Sequence, residues 1–123
     1  MTVLSEDFSN ATYQIQSVFP GKIVINGQSY TQSLIISPEK LIENWRPSRV
    51  DDITDTDWEL LLSLNPEIIL LGTGERSIML PAKKLAFLTE KQFHIECMNT
   101  HSACRTYTIL ISEGRKVVAG LIL

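Results

Sequence analysis

A thiol, a histidine, two arginines and a run of hydroxyls crowd the last quarter of this 123-residue chain. They lie in Met98-Asn99-Thr100-His101-Ser102-Ala103-Cys104-Arg105-Thr106-Tyr107 and, further on, in Glu113-Gly114-Arg115. Three kinds of chemistry could use them. A cysteine near a helix N-terminus and beside an arginine is where a thiol pKa can fall, which makes Cys104 a candidate nucleophile. His101, three residues earlier on the same helical side, is its candidate base, although no acid is placed to orient it as a base usually requires. The unpaired N–H groups of a helix start, with Arg105 in the first two turns, would suit a small anion. His94, Cys97, His101 and Cys104 also carry metal-ligand atoms. In a strand, however, His94 and Cys97 point to opposite faces, so no metal and no cofactor is assigned.

A second loop accompanies this one. Gly72-Thr73-Gly74-Glu75-Arg76 directly follows the apolar run Ile68-Ile69-Leu70-Leu71. Glycines there allow a sharp turn, or the close approach of a ligand or a neighbouring backbone. The spacing is neither a dinucleotide fingerprint nor a phosphate-binding P-loop, and a tight turn alone would also account for it. Both loops are expected at the rim of a parallel sheet, where α/β domains tend to bind ligands. The candidate binding set is Gly72, Thr73, Gly74, Arg76, Thr100, Cys104, Arg105 and Thr106. Arg115 either reaches the same rim or sits in solvent.

The elements that must position these residues follow from local pattern. Tyr13 to Val18 alternates, Pro20-Gly21 turns, Ile23-Val24-Ile25 extends, and Asn26-Gly27 is a strong hairpin signal. Tyr30 to Ile36 reads as one further strand, so the first third is an antiparallel β-meander. Residues 1–11 are polar and expected to be loose, with a single domain over 12–123. Ser37 to Lys40 is a turn, and Leu41 to Trp45 is ambiguous. The period then becomes helical: Thr54, Asp55 and Thr56 are candidate N-caps, Thr56 with Glu59 fits a capping box, and Trp58, Leu61, Leu62 and Leu64 form an apolar face. Ile68 to Leu71 is a central strand covered on both sides. Pro81 suits the first position of a helix carrying Leu85 and Leu88. Phe93, Ile95 and Cys97 alternate with His94 and Glu96 as a strand. Asn99 or Thr100 caps a helix whose apolar face is Ala103, Tyr107, Leu110 and Ile111, and Gly114 ends it. Lys116 to Leu123 is a last strand. Trp45 and Trp58 are read as core anchors.

Composition narrows the function classes. A chain of this length buries roughly two-thirds of its unfolded surface and folds without disulfide or metal. With 44% hydrophobic and 20% charged residues it reads as an ordinary soluble domain. A net charge of −3 argues against a dedicated nucleic-acid binder. No segment approaches the ~20 apolar residues of a membrane span. The opening Met1-Thr2-Val3-Leu4-Ser5-Glu6-Asp7-Phe8 has neither the basic and apolar regions of a signal peptide nor the arginines of a transit peptide, so the expected compartment is the cytoplasm. Cys97 and Cys104 are expected as free thiols. Oligomeric state is left open, since exposed strand edges permit a dimer.

Gly72-Thr73-Gly74, Met98-Asn99-Thr100, Ala103-Cys104-Arg105-Thr106-Tyr107 and Glu113-Gly114-Arg115-Lys116-Val117 together resemble the Mth938-like family, which includes a mitochondrial assembly factor of respiratory complex I. The resemblance runs from the first hairpin to the last strand. It implies a three-layer α/β fold: a central mixed sheet with helices on it plus the N-terminal antiparallel meander. It implies no catalytic activity, and a protein partner of the respiratory-complex-subunit kind. Two positions depart from the family pattern. Thr108 stands where the family has Asn, and Asn99 where it often has an acid. The expected function is therefore a non-enzymatic protein-binding or assembly-factor-like domain. The alternative is a small-anion binder or thiol-dependent enzyme using the rim around Cys104 and Arg105.

Overall fold

Two turns shape the start of the computed structural model, which describes residues 11–123. Pro20-Gly21 joins β1 (Ile15–Phe19) to β2 (Lys22–Ile25), and Asn26-Gly27 joins β2 to β3 (Gln28–Tyr30). Asn26 and Gly27 have φ of 50° and 84°, the paired positive values that match hairpin twist. These three strands form an antiparallel sheet. The expectation of a loose segment over 1–11 falls, but for Ala11, outside the described residues.

The single strand expected over Tyr30 to Ile36 is two strands in two sheets. After β3 the chain leaves the meander, and β4 (Leu34–Ile36) joins a five-stranded mixed sheet, antiparallel to its neighbours β5 (Leu41–Ile42) and β8 (Val117–Leu121). The physical reason is burial. Leu34, Ile35 and Ile36 are fully buried, on both faces, whereas β3 is mostly exposed. A three-residue apolar run needs cover on both sides, and only the central sheet supplies it.

That sheet has the order β5-β4-β8-β6-β7, with β6 (Ile68–Gly72) parallel to both β8 and β7 (Ile95–Met98). Alternate residues of β6 supply two cores. Ile69 and Leu71 pack with Trp45, Trp58, Leu61 and Leu88; Leu70 packs with Ala103, Tyr107, Ala119 and Leu121. Accordingly α1 (Asp55–Leu62) and α2 (Ala82–Glu90) lie on one face and α3 (Thr100–Ser112) on the other. Ile23 and Ile25 of the meander join the α3 core, so α3 sits between the two sheets. This is the expected three-layer α/β fold with a central mixed sheet and an added meander. Both tryptophans are core anchors, and a Cβ at Gly120 would come within 2.8 Å of the Trp45 ring, which is why β8 carries glycine there.

Helix boundaries differ from expectation in two places. The N-cap of α1 is Thr54, and Asp57 rather than Glu59 reaches back to it: the Thr54 N–H donates to the Asp57 carboxylate at 2.8 Å. Asp57 wins because the same carboxylate also binds Arg46, so tertiary structure chose among three adjacent caps. Pro81 is the N-cap of α2, one position before the expected one. At α3, Asn99 caps as expected, its side chain accepting from the Ser102 N–H at 2.8 Å, and Gly114 follows the helix with φ of 78°.

Candidate functional site

The two loops do meet at the C-terminal ends of the parallel strands. The crossover after β6 leads to the α2 face and that after β7 to the α3 face, so a topological switch point falls between these strands. Four of the expected residues converge there, Gly72, Thr73, Gly74 and Thr100, and they bind one another. The Thr100 N–H donates to the Gly74 carbonyl at 2.8 Å, and the Gly74 N–H returns a bond to Thr100 Oγ1 at 2.8 Å. Thr100 Oγ1 in turn donates to the Ile122 carbonyl at 2.6 Å, and the Ile122 N–H to the Gly72 carbonyl at 3.0 Å. The Thr73 N–H donates to the Met98 carbonyl at 2.9 Å, while its hydroxyl bonds the Arg76 carbonyl and accepts from the Ile78 N–H. Thr73 and Thr100 are both buried.

The glycines serve this knot. A Cβ at Gly72 would lie 2.8 Å from Thr100 Oγ1 and 3.0 Å from Thr100 Cα, so the close approach Gly72 permits is that of α3 onto β6. Gly74 has φ of 103°, which a side chain rarely tolerates. The helix start offered as an anion site is largely spent, because the Thr100 and Ser102 N–H groups already have protein acceptors.

The remaining candidates spread outward. His101 and Arg105 are exposed on α3, and Arg76 on the loop after β6; the side chain of none of the three makes a hydrogen bond or ion pair with a described residue. Thr106 is half-buried, its hydroxyl 3.5 Å from Met98 Sδ. Cys104 is 1% exposed beneath His101 and Arg105, and burial pushes its thiol up to about 12. Cys97 is half-buried and also raised, by burial first and by the Glu96 charge second. A thiol held neutral in this way is a poor nucleophile. We therefore expect Cys97 to react first with an alkylating reagent at mildly alkaline pH, and Cys104 to react only at the rate of unfolding. Rapid native-state labelling of Cys104, read by mass spectrometry, would contradict its burial.

Two adjoining clefts border the rim. One, of about 220 Å³, lies between the β1–β2 turn at Phe19, Pro20 and Gly21, the Gly74-Glu75 loop, and His101. The other, of about 390 Å³ and shallow, runs between β1 and α3 over Arg105, Thr108 and Ile109. The β1–β2 turn was expected only as a turn; its part in walling the rim arises from the docking of the meander on α3, which leaves no mark in local pattern. Four large apolar side chains are exposed around these clefts and the adjacent loop: Phe19 at 50%, Ile109 at 56%, Ile78 at 40% and Met79 at 93%. Ile78-Met79-Leu80 is legible in the sequence as an apolar triplet in a loop, and Leu80 alone turns inward.

Arg115 does not reach the rim. It sits at the opposite end of the parallel strands, where its Nε donates to Glu67 at 3.1 Å, because β8 begins there and ends at the rim. A roomier cavity of about 610 Å³ lies at that end, lined in part by Asn65, Pro66 and Glu113 to Lys116 and so including Arg115, away from the rim. Among the described residues, no group of three or more His, Cys, Asp or Glu is disposed to hold a metal ion.

Comparison with known proteins gives a consistent answer. The family model for a protein of unknown function (DUF498/DUF598) matches residues 15–122. A Francisella tularensis protein named 13 kDa major membrane protein is 30% identical over 120 residues, covering 95% of this chain and 96% of that protein. The human NADH dehydrogenase [ubiquinone] 1 alpha subcomplex assembly factor 3 is 29% identical over 124 residues, covering 99% of this chain and 66% of that protein. This chain thus spans about two-thirds of the human relative's length. Among solved structures, a crystal structure of a Bordetella parapertussis protein superposes with a TM-score of 0.84 at 32% identity, covering 91% of this chain and 96% of that one. A Bordetella pertussis protein described as a Mth938-like domain gives 0.76 at 26% identity, covering 89% and 85%.

Proposed function

This chain belongs to the DUF498/DUF598 family of proteins of unknown function, and from that premise we propose that it works by binding a protein partner, in the manner of an assembly factor for a membrane-bound respiratory enzyme. One observation carries the reading. The polar groups at the switch point satisfy each other, while the side chains left over around it are those that anchor protein interfaces. These are the unpaired Arg76 and Arg105 and the exposed Phe19, Ile78 and Met79. Arginine, methionine and aromatic residues are enriched at such interfaces, and a few of them carry most of the binding energy. The name of the Francisella relative supports a membrane-associated setting. Among the described residues no helix is long and apolar enough to cross a membrane, so the proposed contact is with the protein subunits. Cytoplasm is the compartment we assign, since two free thiols suit a reducing environment.

The test is a crosslinked pull-down of tagged protein from its native cells, compared with Arg105→Ala and Met79→Glu. Respiratory-enzyme subunits should be recovered with the parent protein and weakened roughly tenfold or more by either substitution. Both side chains are exposed, so circular dichroism and melting should stay unchanged. If no such subunit is recovered and an inorganic phosphate titration instead shifts the His101 and Arg105 NMR signals, the rim is a small-anion site. That alternative rests on the same two unpaired side chains above the second cleft.

A further inference from the structure

We propose that the free edge of β7 pairs antiparallel with the β7 edge of a second copy, making a two-fold dimer with a continuous sheet. The sheet order ends at β7, so one side of this strand has no partner among the described residues. Which groups face that side follows from one bond. The Thr73 N–H donates to the Met98 carbonyl, which directs Met98, and by alternation Glu96, toward β6. The N–H and C=O groups of Ile95 and Cys97 therefore face outward. Phe93 contributes only its carbonyl, because its N–H already donates to the Leu88 carbonyl at 2.9 Å. Neither lysine nor proline interrupts 93–97, so two of the usual protections of an edge strand are missing from it. At the other end of the sheet, β5 is only two residues long.

Polar pairing selects the register. His94 and Glu96 lie on one face, exposed, with Nε2 and Oε2 3.2 Å apart. Centring the two-fold on Ile95 makes Ile95 of each copy a hydrogen-bonded pair and lets each Cys97 N–H reach a Phe93 carbonyl. It also sets each His94 opposite Glu96 of the other copy in a non-hydrogen-bonded pair, where side chains come closest. On the other face, Phe93 and Cys97, each half-buried at the margin of the α1–α2 core, would cover one another. Sliding by two residues, which preserves the hydrogen-bond direction, sets Glu96 against Glu96. Sliding the other way sets His94 against His94 and requires extension at Gln92, whose φ is 65°. Only the Ile95-centred pairing is complementary on both faces, and complementarity to itself is what a second copy offers.

This inference is independent of the rim. Sedimentation equilibrium should show a dimer, and hydrogen exchange should show the Ile95 and Cys97 amides gaining protection as concentration rises. His94→Glu gathers four carboxylates about the axis and should raise the dimer dissociation constant roughly tenfold or more. The double change His94→Glu with Glu96→Lys should restore it. Arg105→Ala should leave the dimer intact. Monomer at all concentrations would overturn the proposal. So would a dimer indifferent to both charge changes whose Ile95 and Cys97 amides exchange freely.

Discussion

Asp57→Ala should destabilise the protein by about 3 kcal/mol, and this is among the largest effects expected of any polar substitution here. The Asp57 side chain is only 6% exposed, yet it is charged and held on three sides. Its Oδ2 lies 2.6 Å from Arg46 Nη2, accepts from the Thr54 N–H at 2.8 Å and from the Thr54 hydroxyl at 3.0 Å; its Oδ1 accepts from Arg46 Nε at 3.2 Å. Arg46 Nη2 also donates to the Asp52 carbonyl. From the other side, Lys84 Nζ ties the Asp51 and Ile53 carbonyls, each at 2.9 Å, while its own carbonyl accepts from Trp58 Nε1 at 3.0 Å. Removing the carboxylate takes away the reciprocal half of the α1 capping box and frees the segment that seats Trp58 in the core. Urea denaturation should record the loss, with a fall in melting temperature of roughly 10 °C. A loss below about 0.5 kcal/mol would show that the network contributes nothing.

The same carboxylate gives a pH dependence whose sign is fixed. Burial pushes the Asp57 carboxyl up, but the bonds from Arg46 and Thr54 outweigh it and hold the group below its ordinary value. A carboxyl whose folded pKa is depressed stabilises the fold fully above its unfolded pKa, about 3.9. That stabilisation is lost as pH falls through the lower, folded value. The difference in stability between the parent protein and Asp57→Asn should therefore be constant around neutrality and shrink below about pH 4. A gap that widened in acid would reverse the assignment.

Gly72→Ala should cost about 3 kcal/mol, and for a different reason. The added methyl would meet Thr100 Oγ1, Thr100 Cα and a Leu121 methyl, all at 2.8–3.0 Å. Two of these three atoms cannot swing aside: one is backbone, and Thr100 Oγ1 is fixed by Gly74 and Ile122. The helix must move off the sheet, breaking the knot. Gly74→Ala supplies the contrast. No atom lies within 4 Å of a Cβ there, so only its φ of 103° opposes the change, at about 1–2 kcal/mol. Paired denaturation curves decide between crowding and backbone strain, and equal losses at the two positions would refute the close-approach account. If Gly72→Ala shifts the Thr100, His101 and Arg105 NMR signals together, the knot also sets the position of the side chains offered at the rim.

Much of the architecture is legible in local sequence pattern. Asn26-Gly27 demands positive φ, a short apolar run closed by glycine demands cover on both faces, and Asn99 and Gly114 bracket a helix through bonds within a few residues. Each signal is local: the residues that specify the element are the residues that form it. With the Cys-Arg-Thr-Tyr run, these local signals also sufficed to bring the Gly72 and Thr100 loops to one rim and to identify the family.

What escaped the sequence depended on partners distant along the chain. Tyr30 to Ile36 reads as one extended stretch, and nothing local marks where the chain leaves the meander; burial of Leu34–Ile36 on both faces and long-range pairing with β8 divided it into two strands. Thr54, Asp55 and Thr56 are equivalent caps until Arg46, eleven residues before Asp57, selects the carboxylate that completes one of them. Arg115 and Arg105 look alike on paper, yet β8 begins where α3 ends, which puts Arg115 at the far end of the sheet. Cys104 has the sequence context of a reactive thiol, but the meander packs over α3 and removes the water that a thiolate requires. Local pattern specified most of the elements, their order and the family. Tertiary structure decided which polar groups are spent on one another and which side chains remain for a partner, because burial and hydrogen-bond pairing belong to the packed chain as a whole.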